Sequence, residues 1–200
     1  MVDVKFWGPS GWSLFHALSL QSGKENEKIQ LFSVFQDVLP CKYCRQSTRK
    51  FVSESPLHSD VAHWLYRLHD RVNRKLAVQH IQNPALPLPI ESPRFEDIVK
   101  QYKKQISDPK LGWDFLYSVA INYDPAIHNQ KSHEKFWKAL SKLYPSQLSI
   151  PRMTNYFADV HSMLQDTTPI DSVYARISSH KSKCVKKTCR KTRRKSKSRK

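Results

Sequence analysis

Glycine is scarce in this 200-residue chain, with four in all, too few for a turn-rich β architecture. Cysteine is equally sparse. Its four residues form two close pairs, which excludes a disulfide-built scaffold and points instead to redox or metal chemistry. No positively charged segment leading into an apolar run opens the chain, so no secretory signal is expected. The longest apolar stretch, near Leu111 to Ile121, is interrupted by Gly112, Asp114 and Ser118. It is too short and too polar to cross a bilayer, so no membrane span is expected. Acidic residues are missing from 181–200, where twelve Lys and Arg stand. Of the net charge of +17 the rest of the chain therefore carries about +5, and the excess belongs to a tail.

What is present favours helices. Trp12, Phe15, Leu18 and Leu20 follow a helical spacing, with Ser10 as the expected cap. Ile29 to Val38 reads as a second helix, ended near Pro40 because proline disfavours a helical residue before it. A third runs from Cys41 through Phe51. Ser59 or Asp60 caps a fourth, with a stripe of Val61, Trp64, Leu65, Leu68, Val72 and Leu76. Asn83 to Pro93, with four prolines, is a linker or extended strap, and Phe95 to Tyr102 a short fifth helix. The expected architecture is all-α: a four-helix bundle with a short fifth helix over 1–106, then a second small helical domain over 107–177. The opening of that second unit, Trp113 to Ala120, repeats the aromatic and apolar order of Trp12 to Ser19, as a degenerate duplicate or any amphipathic helix would. Residues 178–200 have almost no apolar side chain and are expected to be disordered.

The sharpest motif is Cys41-Lys-Tyr-Cys44. Two Cys three apart in the first turn of a helix can close a disulfide, and the helix N-terminus with Lys42 and Arg45 favours the reactive thiolate. Three readings compete: thioredoxin-like redox, zinc binding and flavin-linked oxidation. The first expects a βαβ setting, whereas an amphipathic helix precedes this pair. Zinc has support in the near-finger spacing of Cys41, Cys44, His58 and His63. Against it, Pro56 and the cap at Ser59 place His58 ahead of the helix, and no hairpin signal surrounds the pair. Trp12 with His16, and His69 with Asn73, share helix faces at a spacing of four. Singly such residues belong to a core more often than to a site. Beside a Cys pair they offer stacking planes and donors suited to a flat, polar-edged heterocycle.

Three blocks together, Gly8-Pro-Ser-Gly-Trp12-x3-His16, Leu39-Pro-Cys-x2-Cys44-Arg45 and Trp64-x4-His69-Asp-x-Val72-Asn73-x2-Leu76, resemble the Erv/ALR family of FAD-linked sulfhydryl oxidases over residues 7 to about 105. With a Lys-rich tail and no leader, the chain is similar to versions encoded by large DNA viruses, which implies host cytoplasm or virion, or otherwise an intracellular location. The resemblance implies no bound metal, and FAD held by Gly8, Trp12, His16, Cys44, His69, Val72, Asn73, Lys75 and Leu76. It implies Cys44 beside the flavin, Cys41 as the outer, exchanging sulfur, molecular oxygen as electron acceptor with hydrogen peroxide as product, thiol-containing protein substrates, and a homodimer. Leu39 replaces the usual Tyr, Asp70 the usual Asn, Pro9 a frequent Arg, and Tyr66 a Cys that elsewhere makes a structural disulfide.

Cys184 and Cys189 lie in the basic tail, where two Cys could simply occur without a role; the family's mobile shuttle dithiols imply a shuttle role for them. The tail's Lys and Arg also suit non-specific nucleic-acid binding through counterion release. No aromatic interleaves those charges after Tyr174, so base stacking is unsupported. The competing class is a non-enzymatic basic zinc- or nucleic-acid-binding protein.

Overall fold

The computed structural model describes residues 1–89, 91–146 and 148–181. Among these the regular structure is helical, apart from one antiparallel backbone bridge between Val2 and Lys181. The first five helices are α1 (Val4–Ser19), α2 (Glu25–Val38), α3 (Lys42–Glu54), α4 (Val61–Gln82) and α5 (Phe95–Lys103), the last followed by a 3-10 turn, Lys104–Ser107. Then come α6 (Trp113–Ile121), α7 (Gln130–Leu143), α8 (Tyr156–Met163) and α9 (Ile170–Ser179). Cys184 and Cys189 lie outside the described residues.

Local chemistry explains the boundaries. The first helix does not start at Ser10 as its pattern suggested. Asp3 caps it by accepting from the Lys5 backbone N–H at 2.9 Å, and Pro9 sits inside it. Ser10 serves another helix, its Oγ accepting from the Phe115 N–H at 3.3 Å. Helix α2 stops where Pro40 forces the preceding Leu39 into an extended conformation, ψ 132°. Asp60 caps α4, accepting from the His63 N–H at 3.1 Å. The stripe of α4 is buried through Leu68 and then leaves the core: Val72 is half-buried and Leu76 exposed.

The described residues of the proline-rich segment, 83–89 and 91–93, return to α4. Tyr66 donates its hydroxyl to the Pro93 carbonyl at 3.0 Å, His80 donates to the Leu86 carbonyl, and Asn73 donates to Ser92 Oγ at 3.1 Å. Chain order also extends past Ser178. Helix α9 reaches Ser179, and the Asp3 N–H donates to the His180 carbonyl at 2.9 Å.

Apart from Ile98 and Tyr102 of α5, the buried apolar side chains form one cluster that reaches from Val2 to Ile177. Helix α1 packs on α4, α5 and α6; α2 packs on α3 and, most extensively, on α7; α6 packs on α8 and α9. Aromatic edges hold the centre. Phe15 meets Phe32, Phe35 and Phe115 at centroid distances of 5.8, 5.3 and 5.0 Å, and Trp64 closes on Phe32 and Phe35. Helix α6, whose opening repeats the aromatic order of α1, thus lies against α1 itself.

Gly112 makes that approach possible. Its φ of +77° is in the left-handed region, and a Cβ there would fall 2.8 Å from Leu14 Cβ. Gly23 shares the backbone conformation, φ +70°, but has nothing within 4 Å. In urea titration Gly112→Ala should therefore lose about 2 kcal/mol or more, from strain plus overpacking, and Gly23→Ala about 1 kcal/mol from strain alone. Equal losses would mean that the α1–α6 approach is not tight at Gly112.

Candidate functional site

The site begins at the turn between α2 and α3. Because Pro40 ends α2, Cys41 becomes the residue that caps α3, and its Sγ accepts from the Cys44 N–H at 3.4 Å. The Cys41 carbonyl accepts the first intrahelical bond, from the Arg45 N–H at 2.9 Å. The Cys41 thiol is lowered from 9.0 to about 6. A hydrogen bond from the Cys44 side chain contributes most; burial opposes it; the Cys44 and Tyr43 backbone N–H groups and the Arg45 guanidinium add to the lowering. At neutral pH Cys41 is therefore largely thiolate. Exposure runs the other way, since Cys41 is 6% exposed and Cys44 is half-buried. The lowered thiol is thus the more enclosed of the two, while access is easier at Cys44. Lys42 and Tyr43, between them, are exposed.

A second group gathers where α1, α4 and α5 meet. The Trp12 ring stacks on His69 at 3.7 Å and 10°. His16 Nε2 and His69 Nδ1 are 2.9 Å apart, one ring donating to the other according to tautomer. Tyr102 stacks on His16 at 4.9 Å and 20°. Burial first, and then the charge of the other imidazole, takes His16 from 6.5 to about 3. Burial likewise takes His69 to about 4, against the raising effect of Asp70. Both rings are neutral at physiological pH. Their facing nitrogens are hydrogen-bonded to each other, without cationic charge.

The other expected residues fall around these two groups. Gly8 is buried one turn before Trp12 on the same face of α1, and a Cβ there would meet only Val4, at 3.6 Å. Asn73 and Val72 continue the His69 face of α4, half-buried, with Leu76 exposed beyond them. Lys75 donates to Ser47 Oγ at 2.5 Å, which brings this stretch of α4 to α3 one turn past Cys44. Aromatic faces, neutral imidazoles, an amide and an amine suit a flat heterocycle bearing polar edges and phosphates, and the dithiol stands on the helix that Lys75 reaches. The donor set fits FAD.

His58 and His63 are engaged elsewhere. Arg67 donates to His58 Nε2, and His63 pairs with Asp60 at 2.7 Å while stacking on Phe95 at 3.7 Å. Among the described residues no three His, Cys, Asp or Glu gather as a metal site, and no helix is long and apolar enough to cross a membrane.

Sequence reasoning missed Tyr102, although the apolar face of α5 that it shares with Ile98 gave a signal. It also missed the bond from Arg45 Nη1 to the Leu39 carbonyl at 2.7 Å, for which the sequence carries no cue.

Residues 9–87 match the model of the Erv1 / Alr family. That span takes in Trp12, His16, both Cys of the pair and the His69–Leu76 face, and leaves out Gly8 and everything from α5 onward. No curated protein and no solved structure matches the chain.

The two imidazoles set an acid limit. Unfolded His titrates near 6.5, so between that value and about 3 or 4 the unfolded chain binds protons that the folded chain refuses. Their contribution to stability is complete above about pH 6.5 and declines as pH falls. Thermal melts should show Tm constant from about pH 7.5 to 6.5 and falling steadily below. A flat Tm down to about pH 4.5 would show that these rings take up protons inside the fold.

Proposed function

Since residues 9–87 belong to the Erv1 / Alr family of FAD-linked sulfhydryl oxidases, we propose that this chain oxidises protein thiols to disulfides through Cys41 and Cys44. The observation that carries the reading is the acid thiol of Cys41 at the head of α3, one helical turn from Cys44 and braced by Arg45. A substrate thiolate attacks Cys41 Sγ of the Cys41–Cys44 disulfide. A mixed disulfide forms, and the Cys44 thiolate leaves. A second substrate thiolate then attacks the substrate sulfur of the mixed disulfide, releasing the Cys41 thiolate and a substrate disulfide. An acidic thiol is the better leaving group, so the shift at Cys41 speeds this second exchange.

Each cycle leaves Cys41 and Cys44 reduced by two electrons. Bound FAD would supply the two-electron acceptor through which these reach oxygen as hydrogen peroxide. Trp12 and His16 on α1, with His69, Val72, Asn73, Lys75 and Leu76 on α4, are the residues that would hold it, with Gly8 leaving the wall smooth beside Trp12. Their neutral rings orient the cofactor and exclude water, and Cys44 is the sulfur given to it. The Cys184–Cys189 pair would act as a shuttle that relays electrons from substrate to Cys41. The family reading further supports a homodimer, with protein dithiols as substrates and the basic tail as the one segment suited to nucleic acid.

Purified protein should be yellow, keep its flavin through gel filtration, and bleach when dithiothreitol is added without oxygen. Cys41→Ser and Cys44→Ser should each abolish dithiol-dependent oxygen uptake while leaving the flavin bound. A colourless protein carrying stoichiometric zinc would overturn the reading in favour of a metal-binding role. Replacing Cys184 and Cys189 together by Ser should slow oxidation of reduced protein substrates. An undiminished rate would remove the shuttle.

A further inference from the structure

The turn that presents Cys41 and Cys44 is braced on two sides by α3. On the inner side Arg45, itself buried, donates from Nη1 to the Leu39 carbonyl at 2.7 Å. On the outer side Arg49 reaches Asp37, near the end of α2, with Nε at 3.0 Å and Nη2 at 2.9 Å from Oδ1. The second carboxylate oxygen of Asp37 is also used. Ser132 Oγ, in the first turn of α7, donates to Oδ2 at 2.8 Å. One carboxylate thus joins α2, α3 and α7 around the redox turn. The Asp37 side chain is 19% exposed and Ser132 is buried, so water competes weakly for the bond between them.

The α7 end of this joint is firmly seated. His133, the next residue, is 1% exposed, and its Nδ1 lies 2.9 Å from the Tyr156 hydroxyl, to which Trp137 Nε1 also donates. Asn129 caps the helix, accepting from the Ser132 N–H at 3.2 Å. A movement of Ser132 would therefore have to disturb a packed aromatic cluster. A movement of Asp37 is the softer response, and Asp37 stands four residues from Cys41.

We propose that Asp37 and Ser132 are positioning residues for the Cys41–Cys44 pair, and that through them the second helical segment sets where the first turn of α3 stands. The consequence for turnover rests on the oxidase reading, but the placement itself is a property of the folded chain.

Ser132→Ala tests this without changing charge. The reactivity of Cys41 in the full chain is followed by iodoacetamide alkylation across pH, with each cysteine peptide resolved by mass spectrometry. The groups acting on Arg45 beside this turn are Cys41, Cys44, Asp37 and Arg49, and Arg45 in turn acts on His128 and His133. Burial holds both imidazoles below their ordinary value, His133 at about 3, so His133 stays neutral over the range read. Loosening the turn weakens the hydrogen bonds that favour the Cys41 thiolate. On the acid limb, near pH ~5.5, alkylation of Cys41 should slow about threefold, the equivalent of half a pKa unit. Ser132→Thr, which keeps the hydroxyl, should restore the parent profile. Superimposable profiles for Ser132→Ala and the parent overturn the proposal, whether or not Tm falls, because a purely stabilising role leaves the profile unmoved. Failure of Thr to restore it overturns the part assigned to the hydroxyl. None of these readouts needs flavin, so absence of bound flavin, which would sink the oxidase reading, is scored separately.

Discussion

The fold depends on the junction at Phe15, where the ring of α1 is met edge-on by Phe32 and Phe35 of α2 and by Phe115 of α6. Each ring is almost wholly buried, and such burial stabilises by about 1.5–3 kcal/mol per side chain, with edge contacts adding to it. Helix α4 joins through Trp64, whose indole N–H donates to the Ser55 carbonyl at 3.0 Å and so loses no hydrogen bond on burial. The faces of α1 that carry Phe15 and His16 adjoin, so the packing that closes the core also sets the direction of the candidate site. Gly11 serves the same end, because a Cβ there would stand 3.0 Å from the Phe115 ring.

Around that junction, burial acts in opposite senses on two kinds of group. It keeps His16 and His69 neutral, as desolvation disfavours the imidazolium, and the two rings satisfy each other across 2.9 Å. Burial also opposes ionisation of Cys41, yet there it loses. The Cys44 side chain, two backbone N–H groups at the start of α3 and the Arg45 guanidinium together outweigh it. A pair of uncharged imidazoles thus arises through burial, and a thiolate against it, decided by the donors at hand.

The two helical segments share their interior. Side chains from α6, α7, α8 and α9 are part of the same buried cluster as those of α1 and α2, and α2 packs on both α3 and α7. Polar joints follow the apolar ones: Gln21 Nε2 donates to the Leu143 carbonyl at 2.6 Å, and Asp37 takes the Ser132 hydroxyl. The family match ends at residue 87, whereas the core it belongs to continues to Ile177.

From its residues alone the chain determined its helices, the Cys41–Cys44 spacing and the helix faces that the candidate residues share. Proline at 40, the Asp60 cap and apolar spacings of three and four are local rules, and helices obey them wherever they lie. The Gly8–Trp12–His16 and His69–Val72–Asn73 faces were legible for the same reason: residues three and four apart share a side. The start of α1 was misjudged because Asp3 caps it earlier than Ser10, and a helix runs through Pro9 despite its lost hydrogen bond. Tertiary structure alone decided that His16 and His69, 53 residues apart, are hydrogen-bonded partners. It also decided that Val72 and Leu76 leave the core, and that the Cys41 thiol is lowered although Cys41 is the more enclosed of its pair. Only packing brings Ser132 to Asp37 across 95 residues. Sequence spacing carries information along one helix. Which faces meet is set by the aromatic interior that several distant segments fill together.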